Sequence, residues 1–222
     1  MNSSEREQLV RGAAIWGISL DETALNRFSR FAEALEETNR TLNLTRVPPA
    51  EYVTKHFLDS LALAAVWKPK RSDNLIDVGT GAGFPGVPLA FAFPELSVTL
   101  LDGTGKRLRF IEAILAELGV ANVRTWHGRA EHIAELPAHR SHYSIAVARA
   151  VAPMEKLAGW MLPFVKPGGL AVAYKSADAG EEIEAARSLI AGVGGEMQVE
   201  TLTLPETDIA RLLVLMRRRT KY

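Results

Sequence analysis

A chain of 222 residues is long enough to bury one α/β core with an appendage and needs no covalent staple. It contains no cysteine, which excludes disulfides, thiolate zinc sites and a cysteine nucleophile. Its 26 basic and 26 acidic residues cancel, so any contact with nucleic acid must come from local clusters.

The first residues, MNSSEREQLV, lack the basic-then-apolar order of a secretory signal, and no run of about 18 apolar residues occurs. A soluble, cytoplasmic protein is expected. Ser4 to Glu7 has the form of a capping box, and Leu9, Ala13 and Trp16 then share a helical face until Gly17. A second helix is predicted to open at Asp21, with Leu25, Phe28, Ala32 and Leu35 at spacings of three and four. Thr41 to Pro49 reads as a loop. A third helix is predicted from Ala50 to Trp67, burying Val53, Phe57, Leu61 and Ala64. The polar stretch from Lys68 to Asp73 divides a helical N-terminal extension, 1–72, from a nucleoside-binding domain, 73–222.

From Asn74 onward strands and helices alternate, the mark of a sheet covered on both faces. Strands are predicted at Leu75–Val78, Val98–Leu101, Val123–His127, Tyr143–Ala148 and Leu170–Tyr174. Helices are predicted at Val87–Phe93, Lys106–Leu118, Pro153–Val165 and Asp178–Ala191. Two last strands, Met197–Leu204 and Leu212–Met216, are joined by a link too short for a parallel crossover, so an antiparallel hairpin closes the sheet. The fold class is α/β and Rossmann-like, with a mostly parallel sheet.

The stretch Asn74 to Gly86, NLIDVGTGAGFPG, carries the chemistry. An apolar strand runs into Gly79, Gly81, Gly83 and Gly86, and a second strand ends in Asp102, where a nucleoside-binding fold places an acid for ribose hydroxyls. Gly81 to Gly86 also satisfies the dinucleotide pattern. Asp77 argues against a dinucleotide, because a carboxylate near that turn repels a pyrophosphate and attracts a cation. S-adenosylmethionine, which carries a sulfonium and an ammonium, fits better than NAD. The alternative for Asp77 is a turn cap.

These residues, with Leu42 to Thr45, His56 to Leu61, Leu100 to Asp102, Lys106-Arg107, Arg129 to Glu131 and Ala148 to Ala150, resemble the bacterial ribosomal RNA small subunit methyltransferase G family, formerly glucose-inhibited division protein B. The resemblance spans Leu42 to Val214. It implies a class I S-adenosylmethionine-dependent methyltransferase that modifies N7 of a guanine in 16S ribosomal RNA. It further implies cofactor contacts at Gly79 and Phe84 in the glycine turn, Ala130 and Glu131 after the third strand, and Arg149 after the fourth. The plain alternatives are an acid in a helix first turn for Glu131 and a surface residue for Arg149.

Guanine N7 is an unprotonated lone pair, so the reaction demands positioning and no base. The sequence offers no acid where the fourth strand ends, and no catalytic base is assigned. Ribose-hydroxyl methylation stays open through Lys175. RNA contacts are expected from Lys106, Arg107 and Arg109, from Arg46, Lys55 and His56, from Lys175, and from the tail Arg217, Arg218, Arg219 and Lys221. Solvated helix faces read the same way. His56, Asp59 and Ser60 share one flank of the third helix and are expected to pack at the domain seam. The partner expected is 16S ribosomal RNA or the small ribosomal subunit, bound by a monomer without a metal or a membrane. The competing readings are an NAD-dependent oxidoreductase and an S-adenosylmethionine binder with another acceptor.

Overall fold

The computed structural model describes residues 1–220. It opens with two helices, α1 (Ser3–Ile15) and α2 (Glu22–Leu42). Asn2, not Ser4, caps α1: its side-chain oxygen accepts from the Glu5 N–H at 2.9 Å, and the Glu5 carboxylate accepts from the Asn2 N–H at 2.7 Å. This reciprocal pair satisfies the same two donors earlier in the chain, so the helix starts sooner. Asp21 caps α2 as its position suggests, accepting from the Ala24 N–H at 2.7 Å.

The third predicted helix is not a regular one. It comprises a 3-10 turn (Pro49–Glu51), a π-helical stretch (Val53–Leu58), one α turn labelled α3 (Asp59–Leu61) and a second 3-10 turn (Ala62–Ala65). Val53, Phe57, Leu61 and Ala64 are buried as the periodicity requires, but His56, Asp59 and Ser60 are buried too. A segment enclosed over so wide an arc is held by apolar contacts on one side and polar ones on the other, and its winding yields to both.

Seven strands follow: β1 (Asn74–Val78), β2 (Ser97–Asp102), β3 (Val123–His127), β4 (Tyr143–Arg149), β5 (Val165–Ser176), β6 (Gly195–Thr203) and β7 (Ala210–Arg218). They form one sheet in the order β3-β2-β1-β4-β5-β7-β6. The first five run parallel, and β7 pairs antiparallel with both β5 and β6. Between them lie α4 (Gly86–Ala92), α5 (Gly105–Glu117), α6 (Ala130–Ile133), α7 (Met154–Met161) and α8 (Gly180–Gly192). The α/β class, the mostly parallel sheet with its closing hairpin and the N-terminal helices match the expectation.

Alternation along the strands sorts side chains to two faces. Leu75, Leu100, Val147 and Val172 join one cluster with Phe28 and Phe57 from the N-terminal helical part, α4 and α5. Ile76, Leu101, Ala146 and Ala171 join the other with α7 and α8. The N-terminal helices therefore share a continuous core with the sheet. In the tail, Arg217 donates to the Gly168 carbonyl at 3.1 Å, Arg218 to Ser141 Oγ at 2.7 Å and Arg219 pairs with Glu196 at 3.3 Å. Lys221 lies outside the described residues.

Gly86 is required by close approach. A Cβ there would overlap the Leu100 side chain and lie 2.8 Å from Asp77 Oδ2. Gly86→Ala is expected to cost about 1–3 kcal/mol through overpacking, read as a lower urea midpoint at constant slope. An unchanged midpoint would mean that the turn relaxes freely.

Candidate active site

The sheet order reverses between β2-β1 and β1-β4, and a crevice opens there beyond the carboxyl ends of the strands. It is a cleft of about 430 Å³ lined by the glycine turn, by Asp102 to Thr104, by Arg129, by Arg149 to Val151 and by Leu44, Thr45 and His56 from the N-terminal part. A smaller recess adjoins it through Gly79, Asp102 and Arg129, and is completed by Ala130, Glu131 and Trp160. The two together make an elongated site with β1 and β2 at its middle.

The turn after β1 is built from the backbone outward. Gly79 and Thr80 both donate to the Leu101 carbonyl, at 2.8 and 3.0 Å, which ties the turn to β2. Gly79 has φ of +76°, and a Cβ there would lie 2.8 Å from the Val151 methyl groups. Both conformation and space therefore demand glycine. Phe84 leaves the turn edge-on to Phe31 at 5.7 Å and stacked on His56 at 4.2 Å, so it joins the cleft to the N-terminal helices.

Asp77 does not line the cleft. It is fully buried under the turn, where its Oδ2 accepts from Thr80 Oγ1 at 2.6 Å and the Gly86 N–H at 2.8 Å. Burial pushes its pKa up to about 7, against the opposing pull of those two donors and of Arg149. Its role in the fold is the turn-capping alternative read from the sequence. Its Oδ1 has no partner among the described residues.

Asp102 does line the cleft. Its Oδ2 accepts from the Gly81 N–H at 2.9 Å and its Oδ1 from the Thr104 N–H at 2.7 Å. Each carboxylate oxygen has two lone pairs, so one on each remains to accept a hydroxyl. Arg107 reaches 3.8 Å from Oδ2 and also faces the cleft.

Arg149 is no loose surface residue. Its Nη1 donates to the Lys55 carbonyl at 2.9 Å and to Asp59 Oδ2 at 2.8 Å, and its Nη2 donates to His56 Nδ1 at 3.1 Å. The guanidinium also lies 5.0 Å from the centroid of the Phe84 ring. Asp59 in turn accepts from Arg211 Nε at 2.7 Å and Nη2 at 3.0 Å. The Tyr174 hydroxyl donates to the Ser60 carbonyl at 2.9 Å. The N-terminal segment is thus sewn to the ends of β4, β5 and β7.

Besides the tail, three expected RNA contacts are otherwise engaged, and one of them, Lys55, pairs with Glu51 at 2.7 Å. Lys175 donates to Glu182 at 2.7 Å and to the Ala152 carbonyl at 2.8 Å, outside the cleft lining. His56 is 6% exposed, and burial and the neighbouring Arg149 lower its pKa to about 3, so it carries no charge for a phosphate. Arg46, Lys106 and Arg109 are exposed. Among the described residues no cluster of three His, Asp or Glu side chains is placed to hold a metal, and no helix is long and apolar enough to cross a membrane.

The family model described as rRNA small subunit methyltransferase G matches residues 24–208. This chain belongs to that family. Ribosomal RNA small subunit methyltransferase G of Thermoanaerobacter sp. (strain X514) is 40% identical over 228 residues, covering 100% of this chain and 95% of that protein. The same-named protein of Geobacillus kaustophilus (strain HTA426) is 41% identical, covering 92% and 87%. Among solved structures, a methyltransferase from Pyrococcus furiosus superposes with a TM-score of 0.61 at 14% identity, over 88% of this chain and 99% of that one. The YcgJ protein from Bacillus subtilis gives 0.59 at 14% identity, over 75% and 100%. At such identity these structures speak for the fold, which is the Rossmann-like class I methyltransferase fold.

Within this family member the sequence reading missed Thr45, Thr80, Arg129 and Val151, all of which line the site. Thr45 sits in a quoted signature but has no local feature that distinguishes it from a loop hydroxyl. Ala150 takes φ of +56°, a conformation that no residue type announces when an alanine adopts it.

Proposed function

We propose that this protein transfers a methyl group from S-adenosylmethionine to N7 of a guanine in 16S ribosomal RNA. The cofactor would lie along the elongated cleft, with Asp102 accepting ribose hydroxyls through its spare lone pairs. Ala130 and Glu131 would edge the adenine recess, and the turn at Gly79, Gly81 and Phe84 would face the methionine end with Arg149. When bound, S-adenosylmethionine supplies an electrophilic methyl group.

The observation that carries the choice of acceptor is the state of His56. It is the imidazole facing the Arg149 end of the cleft, and both of its ring nitrogens are engaged, Nδ1 by Arg149 and Nε2 by Thr45. Among the described residues no free base stands there to take a proton. An acceptor that needs deprotonation, such as an exocyclic amine or a ribose hydroxyl, gains nothing from this arrangement, whereas guanine N7 requires only alignment. Exposed Arg46, Lys106 and Arg109 would meet phosphates around the mouth, and the reading takes the protein as a cytoplasmic monomer.

The test is mass spectrometry of nuclease-digested ribosomal RNA after incubation with isotopically labelled S-adenosylmethionine. Unmodified RNA is supplied both naked and as small subunits. Labelled 7-methylguanosine in one fragment is expected. Label on an amine or a ribose, or none despite cofactor binding, would overturn the reading.

A further inference from the structure

The neighbours of His56 assign one tautomer to its ring. Arg149 has donors only, so its 3.1 Å contact with His56 Nδ1 requires Nδ1 to be the bare, accepting nitrogen. The neutral ring therefore carries its proton on Nε2. That nitrogen lies 2.8 Å from Thr45 Oγ1 and must donate to it. Thr45 Oγ1 accepts a second hydrogen bond from the Val47 N–H at 3.1 Å. Both of its lone pairs are filled.

The Thr45 hydroxyl is left with its O–H, and among the described residues no acceptor lies within reach of it. The residue lines the cleft beside His56, Phe84 and Arg149. The Asn39 side-chain amide holds the Thr45 backbone at both of its flanking peptide groups: Oδ1 accepts from the Thr45 N–H at 2.8 Å, and Nδ2 donates to the Thr45 carbonyl at 3.0 Å. A relay that starts at a buried guanidinium thus turns an ambivalent hydroxyl into an obligate donor aimed at whatever occupies this end of the cleft.

Resting on the guanine-N7 reading above, we propose that Thr45 is a specificity-determining residue whose hydroxyl donates to the O6 carbonyl of the target guanine. Guanine presents N7 and O6 as adjacent acceptors on one edge, while adenine presents an amino donor in place of O6. A donor that cannot reverse accepts the first and opposes the second. The same hydroxyl could instead meet the cofactor's carboxylate, which shares the acceptor chemistry, so the test separates the two.

The experiment measures kcat/KM for methyl transfer to N7 of the target base by the full-length protein, with S-adenosylmethionine affinity by calorimetry. Wild type, Thr45→Val and Thr45→Ser act on RNA carrying guanine or 2-aminopurine, which lacks O6, at the target position. Thr45→Val is expected to lose about tenfold on guanine, the scale of one hydrogen bond, with cofactor affinity unchanged and Thr45→Ser close to wild type. On 2-aminopurine the valine variant should lose nothing further relative to wild type, the non-additivity that marks a direct pair. Equal losses on both substrates, or a fall in cofactor affinity, would overturn the assignment. The wild-type comparison of the two bases requires no variant to fold, and a wild type indifferent to O6 would equally sink it. Absence of 7-methylguanosine from wild type would instead refute the activity itself.

Discussion

Replacing Asp59 with alanine is expected to remove about 3–5 kcal/mol of folding stability, the range found when one partner of a buried ion pair is deleted. The carboxylate side chain is 3% exposed and sits between Arg149 and Arg211, whose side chains are 11% and 18% exposed. Without it two largely desolvated guanidinium groups face each other with no counter-charge. Asp59→Asn retains an accepting oxygen but no charge and should recover only part of the loss. Urea unfolding reads the effect as a lower midpoint at unchanged slope. A loss below about 1 kcal/mol would place this cluster with ordinary solvent-screened surface pairs.

Asp77→Asn should act in the opposite direction, increasingly as pH rises from about 4 to about 7. The carboxyl of Asp77 ordinarily titrates at 3.8 and is pushed up to about 7 by burial. Between those values the folded state holds a proton that the unfolded state has released, so this group's contribution to stability falls as pH rises from about 4 to about 7 and is level above. The full difference is about 4 kcal/mol, at about 1.4 kcal/mol per tenfold change in proton affinity. Asparagine keeps an acceptor for Thr80 and Gly86 but has nothing to ionise. In paired urea titrations the variant should match wild type near pH 4, exceed it increasingly up to about pH 7 and keep a constant margin above. Parallel stability profiles would show that Asp77 ionises in the folded protein as easily as in water.

Where the signal was local, the sequence carried the architecture. Strand-length segments set between helices marked all seven strands, and the succession of strands and helices foretold a sheet covered on both faces. The brief link before β7 dictated its antiparallel course. The glycine turn and Asp102 were likewise readable, because the need for left-handed backbone and the position of an acid at a strand end are properties of a few consecutive residues. The irregular winding of residues 49–65 was not. Its apolar spacing satisfied a helix, and only the enclosure of His56, Asp59 and Ser60 by strands distant in sequence altered it. Asp77 illustrates the same limit, since its position near the turn was evident but its depth beneath it was not. Lys175 resembled a free cation until Glu182 was brought against it. Arg211 gave no sign of its role, for its partner lies 152 residues earlier.

That separation bears on the order in which the molecule can be completed during synthesis. Asp59 is made 152 residues before Arg211, which lies on a strand held between β5 and β6 rather than at the margin of the sheet. Until that strand is translated and inserted, one of the two cations around Asp59 is missing and the edge of β5 has no antiparallel neighbour. The wall of the cleft that carries His56 and Thr45 therefore gains its full support only once β7 has been made and inserted. Such distant pairings set a slow, late-closing step, and they keep a half-made chain from presenting a finished pocket.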